Sequence, residues 1–518
     1  MTLAGVDGGP NYYARFSHAL PTSRSYFPVG VWFESVVSPE DVHKDRAAGL
    51  NTYVVLTADS ALGLVQSNGM HALVQGDEFS PHPGIDGWFL ADEVDMTHGP
   101  GAGYDEMQSV ANATPRDGRI RYSNYGKGVL FWQSDAEAAR FVNDYQDIVS
   151  ADAYFFTDNN ICSGNEGGSL LAGGSSLSPA QCHRAANYGA TVNRVRSLVS
   201  PPGSKPVWAI VELGHPFSES EYPTITPPQV RAAVWQSLIA GARGIVYFNH
   251  SFGGPDQTQH ILRDGTNAGS AYASIRSVVT ATDAQITQLA PVLNSPTVIS
   301  GWSHGPGTTA MVKWAEGGKA TKRSCKSKRG KKQRRKCKKK AKGRAAAGKR
   351  HKKSCRSKGK KKKCKRATPK GDLYVFAGSA GSSVEGRFSL PCVGDTKAAV
   401  LGEGRSVAVH HGSFSDHFAD ANGIHIYRLD PDRSCKTVRL AAVAPVAPPT
   451  GGGGGTHVAQ PAEVHQGKPS HEVQRVLIAA FIVLLLVGLA LFGRRRHDAH
   501  MPRRTGRPGK HGHRFGLR

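Results

Sequence analysis

The stretch "DGWFLADEVDM", residues 86–96, is an apolar run that ends on three carboxylates, Asp92, Glu93 and Asp95. Its first half reads as a buried strand. Burying a carboxylate costs free energy unless it is paired or hydrogen-bonded, so a strand that stops on three of them ends at a wet rim or at a site that uses them.

The same grammar repeats on either side. Short β-branched or aromatic runs at 27–34, 51–56, 71–75, 86–93, 119–125, 151–157, 205–212 and 242–250 alternate with capped helical stretches. Repeated βα units predict a parallel sheet, and eight of them in about 250 residues predict a closed (β/α)₈ TIM barrel over 26–293. Ser38 to Asp41, Ser134 to Glu137, Ser178 to Gln181 and Thr226 to Gln229 all read as capping boxes, three with Pro after the cap. Four such signals between strands reinforce the count.

From about residue 294 the period changes to strands with turns, which predicts a small antiparallel β-sandwich over 294–317 and 371–440. A Lys/Arg-rich block, 318–370, interrupts two strands that would otherwise make a hairpin. Residues 441–475 read as a Pro/Gly linker, and 1–25 as an N-terminal extension.

Charge is concentrated. The stretch between Glu316 and Asp372 holds 29 of the 65 Lys and Arg and no acid. Removing those 29 charges and the net 8 of the tail 494–518 from +25 leaves about −12, so the folded part is mildly acidic. The basic block cannot bury a core and predicts disorder. It suits an anionic envelope polymer, though it offers no aromatic for base stacking, and a tolerated insertion without a ligand is the plain alternative.

Residues 476–493, "VLIAAFIVLLLVGLALFG", carry no charge over eighteen positions, enough for a single transmembrane helix. The Arg-rich tail after it predicts a cytoplasmic C-terminus and an external large domain at the cell membrane. The first 25 residues lack a basic n-region and an apolar h-region, so a signal segment is expected upstream. A tail anchor with a cytosolic barrel is the rival topology, against the charge rule. The eight cysteines agree with an oxidising exterior, with Cys162–Cys182 and Cys392–Cys435 as plausible pairs. No CxxC or Cys/His spacing suggests zinc, and neither a metal nor a cofactor is expected.

In a parallel barrel the reactive groups sit at the C-terminal ends of the strands. Glu93 ends the fourth predicted strand and Glu212 the seventh, across the barrel mouth from each other. Two facing carboxyls about 5 to 5.5 Å apart are what retaining glycoside hydrolysis needs: one acid for the leaving oxygen, one carboxylate to attack the anomeric carbon. Around them, Trp32, Glu34, Asp92, Asn124, Tyr154, Asn249 and His250 are candidate saccharide-binding residues. Each also has a structural reading: Trp32, with Trp88 and Trp208, as core; Glu34 as a solvated loop acid; Tyr154 as a core tyrosine with a satisfied hydroxyl.

Glu93 and Glu212 at the ends of strands four and seven resemble the superfamily of retaining (β/α)₈ glycoside hydrolases with acid/base on strand four and nucleophile on strand seven. The module ending "SFSDHFADANGIHIYRLD" is similar to the sandwich domains that trail such barrels. The resemblance covers roughly 26–290 and implies Glu93 as acid/base, Glu212 as nucleophile and an oligo- or polysaccharide as substrate. The superfamily usually has Asn where this chain has Asp92, and often Trp at the end of strand eight, where "VYFNHSF" stands. Those departures keep open a second reading, a non-catalytic carbohydrate-binding or envelope-adhesion protein on a degenerate barrel.

Overall fold

A computed structural model describes residues 1–218, 224–316, 371–430 and 439–440. Eight short parallel strands make the barrel wall: β1 (Val29–Glu34), β2 (Thr52–Leu56), β3 (His71–Gln75), β4 (Gly87–Asp92), β5 (Ile120–Tyr125), β6 (Ile148–Ala151), β7 (Ala209–Glu212) and β8 (Ile245–Phe248). Their order in the sheet is β6-β5-β4-β3-β2-β1-β8-β7. The remaining seam closes through a parallel bridge between Val149 and Val207, where Trp208 N–H donates to Val149 O at 2.9 Å.

Strand alternation sorts the side chains into two layers. Trp32, Val54, Leu73, Phe89, Tyr122 and Ile210 pack together inside the barrel. Val31, Tyr53, Ala72, Trp88, Val211 and Ile245 face outward into the core shared with the helices. Trp32 and Trp208 therefore fill the interior, and Trp88 points out, its Nε1 donating to Asp117. All four capping boxes form, at Ser38, Ser134, Ser178 and Thr226. Each satisfies orphan N–H groups and starts its helix at a defined angle; replacing such a cap by Ala typically costs about 1 kcal/mol.

Two differences from the sequence reading concern the termini of elements. Strand six is Ile148–Ala151, not 151–157; the aromatic run Tyr154-Phe155-Phe156 lies in the loop after it. The N-terminal segment is integral: Tyr12, Tyr13 and Leu20 join the barrel interior, and Tyr12 OH donates to Asp147 O just before β6, which closes the N-terminal end. Thr2–Ala4 pairs with Thr297–Ser300.

Beyond the barrel, antiparallel sheets follow. A nine-pair ladder runs from Thr308↔Ser379 to Glu316↔Gly371, so the basic block leaves and re-enters at one end of a hairpin. A three-stranded sheet orders Ser303–His304, Val384–Ser389 and Ser413–Phe418. Val375, Phe388, Phe414 and Tyr427 share the core beneath it. The helix Pro227–Ile239 carries the contact with the barrel: Trp235 stacks on Phe376 with centroids 5.8 Å apart, and Gln236 Nε2 donates to Ser379 O at 2.7 Å. Burying an aromatic of this size contributes roughly 1.5–3 kcal/mol.

The segments expected as basic block, linker, transmembrane helix (476–493) and basic tail lie outside the described residues, as does Cys435. Among the described residues no helix is long and apolar enough to cross a membrane.

Candidate active site

The C-terminal ends of β4, β5 and β6 bring together a cluster of acids. Asn124, pointing inward from β5, donates through Nδ2 to Asp92 Oδ1 and to Asp152 Oδ1, each at 2.9 Å. The Tyr154 hydroxyl hydrogen-bonds Asp152. Asp95 is held behind them by the backbone N–H of Gly126 (3.0 Å) and of Val129 (2.7 Å). Those donors come from a tight turn after β5 that ends in a π-helical turn, Gly128–Trp132, a form that often marks functional sites.

Glu93 is the exception. Its backbone takes φ 50°, a left-handed conformation that costs a non-glycine residue of order 1–3 kcal/mol, and its N–H donates to Asn124 O at 3.0 Å. Its carboxyl is half-buried and has no hydrogen-bond or ion-pair partner among the described residues. The space for it exists because residue 126 is glycine: a Cβ there would sit 2.9 Å from Glu93 Oε1 and 2.2 Å from Met96 Sδ. Burial, then the charges of Asp152, Asp92 and Asp95, push Glu93 well above the usual carboxylate range, with Lys127 opposing. Asp92 is also pushed up, first by the protein that walls it in and then by Asp152; water reaches its side chain and tempers that enclosure. Burial raises Asp152 too, and lifts Asp95 to about 6 against its backbone donors.

Glu212 meets different surroundings. It is fully buried. Its Oε1 accepts from Phe156 N–H at 3.1 Å and from Tyr188 OH, and its Oε2 from Thr157 Oγ1. Burial raises it to about 7 in spite of these donors. The loop that supplies Phe156 and Thr157 is tied down on its far side by the Cys162–Cys182 disulfide and by His183 Nδ1, 2.6 Å from Phe155 O.

The β1 and β8 ends form a third group. Glu34 is fully buried, accepting from Asn249 Nδ2 and lying 2.8 Å from His260 Nδ1 and 3.0 Å from Arg263. Arg263 in turn holds Asp45. Burial raises Glu34, and the hydrogen bond to Glu34 raises His260. His250 is buried with Nε2 3.2 Å from Trp32 O, and burial holds it down at about 4. Two aromatic side chains stand exposed on this face of the barrel, Phe33 (42 %) near the end of β1 and Trp132 (46 %) beyond β5.

Of the sequence candidates, Asp92, Glu93, Asn124 and Tyr154 converge on one point, while Glu34 and Asn249 make their own network. Trp32 lies under the mouth, edge-on to Phe89. Asp152, Lys127 and His260 are central residues that the sequence reading passed over. Lys127 bridges Asp158 (2.6 Å) and Glu166 (2.8 Å); burial lowers it, but the two acids outweigh that and raise it. An acid directly after a strand was the signal for Asp152, hidden when the strand was placed three residues late. Among the described residues, Cys162, Cys182 and His183 make the group with metal-ligand proximity, but the two cysteines are joined as a disulfide and offer no thiolate.

No protein-family model matches the sequence. No curated protein matches it either. Among solved structures the chain is similar to a glycoside hydrolase family 5 protein from Bacteroides vulgatus, at 11 % identity over 80 % of this chain and 92 % of that one, with a TM-score of 0.42. It is also similar to an Anoxybacillus alpha-amylase (10 %, 79 % and 99 %, TM-score 0.41) and to a GH5_18 protein from Bifidobacterium longum subsp. infantis (12 %, 51 % and 78 %, TM-score 0.32). At these scores the likenesses carry no argument about activity; the barrel stands on its own strand pairing.

Proposed function

We propose that the chain is a glycoside hydrolase working at the C-terminal mouth of its barrel, with Glu93 as the acid/base. The observation that carries this reading is Glu93 itself: a half-buried carboxyl with no hydrogen-bond or ion-pair partner among the described residues, pushed well above the usual carboxylate range by burial and then by the three acids around it. A general acid needs that combination of reach and raised pKa. Glu212 is the proposed nucleophile of a retaining, two-carboxylate mechanism, its negative charge supported by Phe156, Thr157 and Tyr188. Glu93 would protonate the leaving oxygen while Glu212 forms a glycosyl ester, and Glu93 would then take a proton from the water that resolves it. Phe33 and Trp132 offer flat apolar faces for sugar rings, with Asp92, Asn124, Tyr154, Asn249 and His250 as candidates for hydroxyl contacts along the mouth.

We also place the barrel outside a membrane, anchored by residues 476–493, with 318–370 toward an anionic envelope polymer; the Cys162–Cys182 disulfide supports an oxidising compartment. A second reading, a saccharide-binding barrel that no longer cleaves, draws on the complete enclosure of Glu212. The deciding experiment measures turnover of a panel of aryl glycosides by the wild type, Glu93→Gln and Glu212→Gln, alongside trapping of a glycosyl-enzyme with an activated fluorosugar. Loss of turnover in both variants with an ester on Glu212 supports the hydrolase. Saccharide retention without cleavage by the wild type supports the binding protein.

A further inference from the structure

The three-stranded sheet of the β module has a face that the barrel does not use. Across it, Ser303 pairs with Ser389 and Ser389 with Ser413, and one step along Arg387 pairs with Ser415. Cross-strand partners point to the same side, and alternation sends Phe388 and Phe414 to the opposite side, where they stack in the core at 5.0 Å. The outer face is thus a floor of short hydroxyls beside one guanidinium. Because serines rise so little above the sheet, the floor is concave, a cleft of about 600 Å³ walled by His304 and His410. That volume lies within the roughly 300–1,000 Å³ typical of small-ligand sites.

The guanidinium is the unusual part. Arg405 is engaged by Glu403 and Asp416, and Arg428 by Asp372. Arg387 makes no ion pair and no side-chain hydrogen bond among the described residues. The one acid on its own face, Glu385, is taken up by His417 at 2.9 Å. An unpaired guanidinium presents a planar fork that matches a single carboxylate through two parallel N–H donors. The hydroxyls around it both donate and accept, as a polyol requires. His304, stacked on Trp302 at 5.8 Å, adds a flat edge for a ring face.

We infer that this cleft is a second saccharide site, selective for an acidic sugar: the uronate carboxylate on Arg387 and the ring hydroxyls on Ser389, Ser413 and Ser415. One fixed cation among serines suits one negative charge per residue of ligand and not a densely charged phosphate chain. The inference is independent of cleavage in the barrel.

The test titrates tri-galacturonate into the full-chain Glu93→Gln protein, which removes turnover on the proposed mechanism, and into the same protein carrying Arg387→Ala or Ser413→Val, by calorimetry. Melting curves check that each variant is folded. Saturable binding is expected, weakened at least tenfold by Arg387→Ala and several-fold by Ser413→Val, with a neutral glucan trisaccharide indifferent to Arg387. Absence of binding at 10 mM ligand, or an affinity unchanged by Arg387→Ala, overturns the site. So does inorganic phosphate displacing the trisaccharide at equal or lower concentration, which would reduce the cleft to a plain anion site. Aryl-glycoside turnover by Arg387→Ala in the otherwise wild-type chain should match the wild type, so failure of the cleft and failure of the barrel mechanism are read separately.

Discussion

Glu93 directly follows β4 and Glu212 ends the seventh strand of one barrel, yet their surroundings differ in kind. Glu93 is half-buried, unpartnered among the described residues and pressed upward by neighbouring negative charge. Glu212 is sealed from solvent and accepts from a backbone N–H and two hydroxyls. The contrast shows how neighbours set a carboxyl's proton affinity: like charges add to the effect of burial at Glu93, while converging donors oppose it at Glu212.

The largest expected effect breaks that contrast outright. Glu93→Gln should lower turnover of an aryl glycoside by about 10²–10⁴-fold, the usual contribution of general acid catalysis. Glu212→Gln should do at least as much while preserving the fold, since an amide can still accept from Phe156 and Tyr188 and donate to Thr157. Wild-type turnover in either variant would remove it from the proposed mechanism.

A second prediction sharpens the electrostatic half. Asp152 contributes negative charge that raises Glu93, so Asp152→Asn should lower Glu93's pKa. The alkaline limb of the pH–rate profile, where the acid loses its proton, should then move to lower pH by about one unit. A limb that stays put or moves to higher pH would show that Glu93 is not the group being titrated.

Glu212 also makes a pH-dependent stability claim. Its folded pKa of about 7 lies above the unfolded value of about 4.3, so the folded state binds the extra proton. Stability from this group is fully present below about pH 4.3 and is lost as pH rises through about 7. Glu212→Gln should therefore raise the melting temperature at pH 8 relative to pH 4, measured as a difference from wild type at each pH. An identical offset at both values would argue against the raised pKa.

Smaller effects concern the frame. Removing the Cys162–Cys182 bond, which spans 20 positions, should cost about 2–4 kcal/mol of stability in denaturant titrations and loosen the loop that caps Glu212. Gly126→Ala should cost roughly 1–3 kcal/mol by overpacking against Glu93 and Met96 and should depress turnover, whereas Gly63→Ala, with nothing within 4 Å of its Cβ and no left-handed backbone, should leave turnover unaltered.

Local chemistry explains what could be read without the structure. The four capping boxes depend on residues three apart, and the strands of a parallel barrel announce themselves as apolar runs, so both were visible in a linear reading. The run Tyr154-Phe155-Phe156 misled because aromatic residues favour strands in general, whereas here they wrap a buried glutamate from a loop. Within Ser413–Phe418 only Phe414 and Phe418 are apolar, Asp416 lies on their side and accepts from Tyr427 OH, and Ser413, Ser415 and His417 make a polar outer face, so the strand signal in the sequence is weak. The pairing of Thr2–Ala4 with Thr297–Ser300 joins segments almost 300 positions apart, which no local period records.

The sequence by itself determined the alternation of strands and capped helices, the carboxylates at the ends of β4 and the seventh strand, and the concentration of basic charge in one block, because those follow from side-chain type and short-range spacing. Only the tertiary structure decided which carboxylate stands unpartnered among the described residues, which is enclosed, and that Asp152 and Gly126 border Glu93. Burial and converging donors are set by segments distant in sequence, and it is they, more than residue type, that choose where a proton rests.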